Sequence, residues 1–159
     1  MKNLSIITII FCIVCSTCLA QINISSSQLK GTKWKRTDIT SKSIYEYTDK
    51  QKIWTSEFGN NHFYSYYLCS TPPTSFDFSK VGKETNGCYL VEWNSKLKRM
   101  EYFTVISFDK SGGKLVLYYK CKGSLDCSDT TMEYKMIKWF RHYYLQLPCS
   151  SLSVRFWTW

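Results

Sequence analysis

The sequence predicts an all-β domain, an antiparallel sandwich or barrel of about eight short strands. Three observations carry that expectation. Apolar and polar residues alternate in run after run at the period of two that a half-buried strand requires. Turn chemistry separates the runs, at Asp49-Lys50-Gln51, Gly59-Asn60-Asn61, Asn86-Gly87 and Asp109 to Gly113. No stretch of the domain holds the helical period. A barrel is the better of the two forms, because closure removes the edges that so aromatic a sheet would leave open to aggregation.

The elements follow in order. Residues 1–20 read as an export leader: Lys2, an apolar run from Leu4 to Val14, then Cys18-Leu19-Ala20 before Gln21. The alternative is a lipid anchor on Cys12, Cys15 or Cys18. Either way the mature chain is expected to be exported, periplasmic or extracellular, and no stretch is long and apolar enough to span a membrane as a helix. Residues 21–28 are polar and Ser-rich, a flexible N-terminal arm. The barrel domain is expected over 29–138. Lys33 and Lys35 bracket Trp34, so alternation faces the indole inward and the lysines outward.

Further strands are expected at Ser43–Thr48, Ile53–Phe58, Phe63–Cys69, Tyr89–Trp93, Tyr102–Phe108, Leu115–Cys121 and Met132–Lys138. Pro72-Pro73 excludes a paired strand from the long connection after Cys69. Phe76 and Phe78 lie in that connection and are expected to tuck under one end of the barrel. Asn86-Gly87 reads as a turn, since both residues tolerate positive φ. Residues 139–159 form an aromatic C-terminal extension that is either a terminal strand, a packing arm or a loosely joined tail.

Charge and motifs exclude more than they assign. Of 21 Lys and Arg only Lys2 lies in the leader, so 20 bases face 12 acids and the mature net charge is +8. The bases are scattered and no nucleic-acid recognition motif accompanies them. Two histidines, His62 and His142, are the whole imidazole supply. No Gly-x-Ser-x-Gly elbow exists to pair with either, and His62 beside Gly59-Asn60-Asn61 reads as a turn residue. Lys80 to Thr85 lacks the glycine and Ser/Thr of a phosphate loop. Cysteine spacings are too wide for a zinc site. No catalytic residue, metal or cofactor is therefore expected.

Export makes the five cysteines beyond residue 20 disulfide candidates. Local pairs, Cys69–Cys88 across the long connection and Cys121–Cys127 across a short loop, leave Cys149 over. Cross-pairing among the four is the rival. The 27 Phe, Trp and Tyr either pack the core or line a ligand pocket. Tyr64, Tyr66, Tyr89, Trp93, Tyr118 and Tyr119 are the pocket candidates by position.

Gly31-Thr-Lys-Trp34, with YYLCSTPPTSFDFSKVGKETNGCYLV and MEYFTVISFDKSGGKLVLYY, resembles the small secreted lipocalin-like (calycin-type) proteins of Gram-negative bacteria. The resemblance spans residues 29–138, with Gly-x-x-Trp standing for the usual Gly-x-Trp. It implies an up-and-down barrel of eight strands, closed at one end by Trp34 with a basic residue, Lys138 or Arg141, lying over it. A barrel of that size either fills with side chains or holds one small ligand. The expected function is an exported binding protein that carries a small hydrophobic or amphipathic ligand. The alternative is a filled-barrel structural or interaction protein of the envelope or extracellular space.

Overall fold

The computed structural model describes residues 21–121 and 128–138. In chain order these form β1 (Ile24–Ser25), a short helix α1 (Ser26–Leu29), β2 (Thr32–Arg36), β3 (Ile44–Tyr47), β4 (Gln51–Thr55) and β5 (Asn61–Cys69). A 3-10 turn at Phe78–Lys80 follows, then β6 (Asn86–Gly87), β7 (Tyr89–Asn94), β8 (Arg99–Asp109), β9 (Lys114–Tyr119) and β10 (Thr130–Met136). Eight strands close an antiparallel barrel in the order β10-β2-β3-β4-β5-β7-β8-β9, and β1 pairs with β6 beside it. This is the fold class the alternation predicts. The expected leader at 1–20, Cys127, and the extension at 139–159 with Arg141, His142 and Cys149 lie outside the described residues.

Each barrel strand falls on an expected run, with ends moved by a few residues. The largest move is at β4, because Thr48 closes a tight turn with Gln51: its N–H donates to the Gln51 carbonyl at 2.8 Å. Pairing then starts at Gln51, and Phe58 falls in the exposed Ser56–Asn60 turn. The ring closes between the first and last barrel strands, with Trp34 opposite Met136, Lys35 opposite Lys135 and Arg36 opposite Tyr134.

The base of the barrel is packed solid. Trp34, Leu29, Leu68, Leu90, Val105, Leu115 and Leu117 are all fully buried there. The indole N–H of Trp34 donates to Thr32 Oγ1 at 2.7 Å, and that hydroxyl donates on to the Leu29 carbonyl. Phe108 lies against the Trp34 ring, with centroids 6.1 Å apart. Lys138 donates to the Ser111 carbonyl in the β8–β9 hairpin.

Four expectations need correction. The stretch 21–28 is not a loose arm: Ile22 N donates to Val105 O, Ile24 is buried against the core, and α1 sets Leu29 over the barrel base. Asn86-Gly87 is not a turn but the partner of β1, and Gly87 is required for a different reason. At φ +150° its missing Cβ would stand 2.0 Å from the Cys69 carbonyl oxygen. Phe76 and Phe78 do not tuck under an end but pack on the outer wall, against Tyr67 and Trp93.

The fourth correction concerns sulfur. Cys69 and Cys88 are free thiols, not a disulfide. Register explains it in part: Cys69 stands opposite Tyr89, so Cys88, in the bend that precedes β7, is not its cross-strand partner. Cys69 Sγ faces the Thr71 carbonyl, whereas Cys88 Sγ reaches Gln21 Oε1. The proposed Cys121–Cys127 pair lies partly outside the described residues.

Replacing Trp34 by alanine is expected to lower stability by about 3–5 kcal/mol, since it leaves a cavity in a base that has no slack to collapse. Trp34→Phe should lose clearly less. Urea denaturation of both variants checks the order.

Candidate functional site

Alternation and register together decide what the barrel encloses. Above the apolar base the inward positions turn polar and aromatic: Tyr45 on β3, Lys52 and Trp54 on β4, His62 and Tyr64 on β5, Glu92 on β7 and Tyr119 on β9. Lys52 stands opposite both Tyr47 and Tyr64, and Glu92 opposite Tyr66. That stagger lets the two charged side chains meet in the interior.

Lys52 Nζ donates to Glu92 Oε2, with Glu92 only 1 % exposed. The ammonium also sits over the rings of Tyr64 (4.5 Å), Tyr45 (5.7 Å) and Phe103 (5.8 Å). An ammonium held over ring faces gains from their negative quadrupole. Burial pushes the Glu92 carboxyl above its ordinary value, and Lys52 opposes that shift without overcoming it.

Among the described residues two polar atoms in this region are buried and have no partner, Glu92 Oε1 and the indole nitrogen of Trp54. Trp54 is the middle member of a stack, 6.4 Å from Tyr45 on one side and 4.6 Å from His62 on the other. Tyr45, Trp54, His62, Tyr64 and Tyr119 are only half-buried, so this end is more accessible than the base. A cleft of about 430 Å³ lies at the same rim, lined by Asn60, Asn61, His62, Phe63, Asn94, Ser95 and Lys96. Of the inner-wall residues only His62 lines that cleft, so the Lys52–Glu92 pair and the Trp54 stack lie below it rather than in it.

The six tyrosine and tryptophan candidates divide by face. Tyr64, Tyr66 and Tyr119 point inward. Tyr66 is wedged low, edge-on to Tyr47, and its hydroxyl donates to the Thr48 carbonyl at 2.7 Å. Tyr89, Trp93 and Tyr118 point outward: Tyr89 packs on Tyr102, Trp93 under Phe76 and Phe78, and Tyr118 donates to Asp129 at 2.5 Å. Only Tyr64 and Tyr119 therefore belong to the accessible box. His62 is not a turn residue but a strand residue on the inner wall, opposite Trp54.

Sequence reasoning missed Lys52, Glu92, Tyr45, Trp54 and His62 as site residues. The signal for Lys52 was present, since it shares its strand face with Trp54. For Glu92 it was absent, because β7 carries buried residues on both faces and the phase cannot be read. Comparison with family models, with curated proteins and with solved structures finds no match. No helix among the described residues is long and apolar enough to cross a membrane.

Lys52→Met strands a buried carboxylate and is expected to lower stability by about 3–5 kcal/mol near neutral pH. A double change, Lys52→Met with Glu92→Leu, should recover most of it. The pH dependence has a definite sign. The folded value of Glu92 lies above 4.5, so the fold favours its protonated form, and that contribution is present at acid pH and lost as pH rises through the folded value. Removing Lys52 raises the folded value further, so the deficit of Lys52→Met should shrink as the solution is acidified towards 4.5. Denaturant midpoints of the variants across that range decide it.

Burial also raises Tyr47 and Tyr134, and it pushes Tyr66 up to about 12. Their neutral forms stabilise the fold fully below the ordinary value of 10.0, and that contribution fades as pH climbs towards the folded values. Tyrosinate absorbance is expected to rise in two stages, exposed rings first and these three together with cooperative unfolding.

Proposed function

We propose that this is an exported, lipocalin-like binding protein that holds one small amphipathic ligand in the half of its barrel away from α1. The observation that carries the reading is the pair of orphaned polar atoms, Glu92 Oε1 and Trp54 Nε1, in an aromatic box. A buried acceptor or donor without a partner costs about 1–3 kcal/mol. A ligand that donates to the carboxylate and accepts from the indole removes that cost while its apolar part covers Tyr45, Tyr64 and Tyr119. The solid base supports a short ligand over a long one, because Trp34 and its neighbours leave the lower barrel no room. The leader-like start of the sequence supports export, to the periplasm or the extracellular space.

A second reading rests on the outer wall. Tyr67 and Val91 point outward yet are buried, covered by the Phe76–Phe78 segment. Phe78 itself remains 61 % exposed beside Trp93. That ridge favours a structural or interaction protein, in which the cluster meets another protein and the barrel needs no ligand.

Native mass spectrometry of the mature protein from its own host, with an organic extract run alongside, separates the readings. A small co-purifying molecule, lost on denaturation and retained poorly by Trp54→Phe, is the expected result. A bare mass for the folded wild-type protein would reject the carrier reading and leave the outer ridge as the functional surface.

A further inference from the structure

Closure of the barrel lays a row of lysines across its outer wall. Lys135 on β10 stands directly opposite Lys35 on β2 and, on its other side, directly opposite Lys114 on β9. All three side chains are exposed. Like charges directly opposite on neighbouring strands destabilise a sheet, so three in register is a liability that the fold itself does not require.

None of the neighbouring acids among the described residues forms an ion pair with the row. Glu46 is paired with Lys33 at 2.7 Å, and Asp38 with Arg36 at 2.5 Å. Asp109, opposite Lys114 on β8, turns back into its own hairpin and accepts from Ser111 Oγ and Gly112 N. Glu133 lies two residues before Lys135, opposite Val116. Among the described residues, none of the ion pairs within 4.0 Å involves Lys35, Lys114 or Lys135.

Beside the row opens a cleft of about 440 Å³, within the size range of small-molecule sites. Lys35 and Lys135 line it together with Ile39, Ile137, Thr40 and Ser41. Ile39 is 43 % exposed, an apolar surface next to unneutralised charge.

We infer that this outer wall is a second binding site, for a phosphate-headed amphiphile. A phosphate monoester brings close to two negative charges and three acceptor oxygens, enough for one contact to each lysine of the row, where a carboxylate has two oxygens. Lysine serves such a head as a point charge that needs no fixed fork geometry. The hydroxyls of Thr40 and Ser41 supply neutral donors, and the alkyl or aryl part covers Ile39 and Ile137. Alternation sends these lysines to the opposite face of the sheet from Trp34 and Tyr134, while Arg36 and Met136, which also line the cleft, follow the inward phase.

The test is calorimetric titration of the mature protein with dodecyl phosphate below its micelle concentration, with dodecyltrimethylammonium as the cationic control. Saturable binding of the phosphate alone is expected, weakened about tenfold in Lys35→Ala or Lys135→Ala, the loss of one charge-assisted contact. Inorganic phosphate should bind more weakly than the amphiphile, and Trp54→Phe should leave the affinity unchanged. A parallel arm uses vesicles with and without phosphatidic acid. Lysine-dependent binding to the acidic vesicles places the natural head group in a membrane, and binding to the monomer alone places it in solution. Because removing one member relieves the row, Lys135→Thr should raise the thermal midpoint of the unliganded protein while weakening binding. The proposal is overturned by no saturable binding, by equal binding of the cationic control, by affinity unchanged in both alanine variants, or by affinity lost in Trp54→Phe. A midpoint that Lys135→Thr leaves unchanged or lowers would also overturn it, because the row would then be under no strain.

Discussion

Three residue pairs between β2 and β10 make this sheet a barrel, and most of the molecule's chemistry follows from that closure. Once Trp34 faces Met136 and Arg36 faces Tyr134, every strand acquires an inside and an outside with no edge between them. A side chain on the inner set must be packed, paired or left orphaned, since water reaches it only through one end. On the outer set, neighbours are fixed by register whether or not their charges suit one another. The buried Lys52–Glu92 pair and the row Lys35–Lys135–Lys114 are the two consequences, one on each surface of the same sheet.

Within the barrel the division of labour runs along the axis. At the base, Trp34 hands its N–H to Thr32 and Thr32 passes a hydrogen bond to Leu29, so a large indole is buried with its polar atom satisfied. That relay is possible only because α1 brings the Leu29 carbonyl to the barrel floor. The short helix is itself fixed by Ser25, whose N–H donates to Gln28 Oε1 at 2.8 Å, and by Thr85, which exchanges bonds with Ser26. The long connection after β5 and the N-terminal segment therefore anchor one another, and together they plug one end. The other end keeps half-exposed aromatics and two unpaired polar atoms.

The barrel strands were legible because β-rich runs fall between clear turns, most of them with period-two alternation, and Trp34 between two lysines reads only one way. Where reading failed, the pattern was ambiguous for a physical reason. YLVEWN holds Leu90, Val91 and Glu92 all buried, because the Phe76–Phe78 cover hides the outer face as thoroughly as the barrel hides the inner one. A strand covered on both faces shows no phase, so Tyr89 and Trp93 looked like pocket residues and Glu92 did not. The same blind spot hid the one-residue offset that separates Cys69 from Cys88. Asn86-Gly87 carried a true glycine signal whose cause, close approach to the Cys69 carbonyl, is tertiary and leaves no local mark.

Local rules are broken here in two places, and the breaks are not scattered. Apolar residues of similar volume in place of Lys52 and Glu92 would fill the interior at no loss, and often with a gain, in stability. Threonine or glutamate at position 135 would quiet the outer row. Natural sequences depart from such consistency mainly where a site is held in readiness. The outer row lies beside an opening, the cleft lined by Lys35 and Ile39, whereas the inner pair is buried beneath the rim lined by His62 and Asn94. A protein that only needed a stable barrel has no use for either. The two irregularities are unlike, one a buried pair with an orphaned oxygen and the other an exposed row of like charge beside a cleft, so each has to be tested by its own variants.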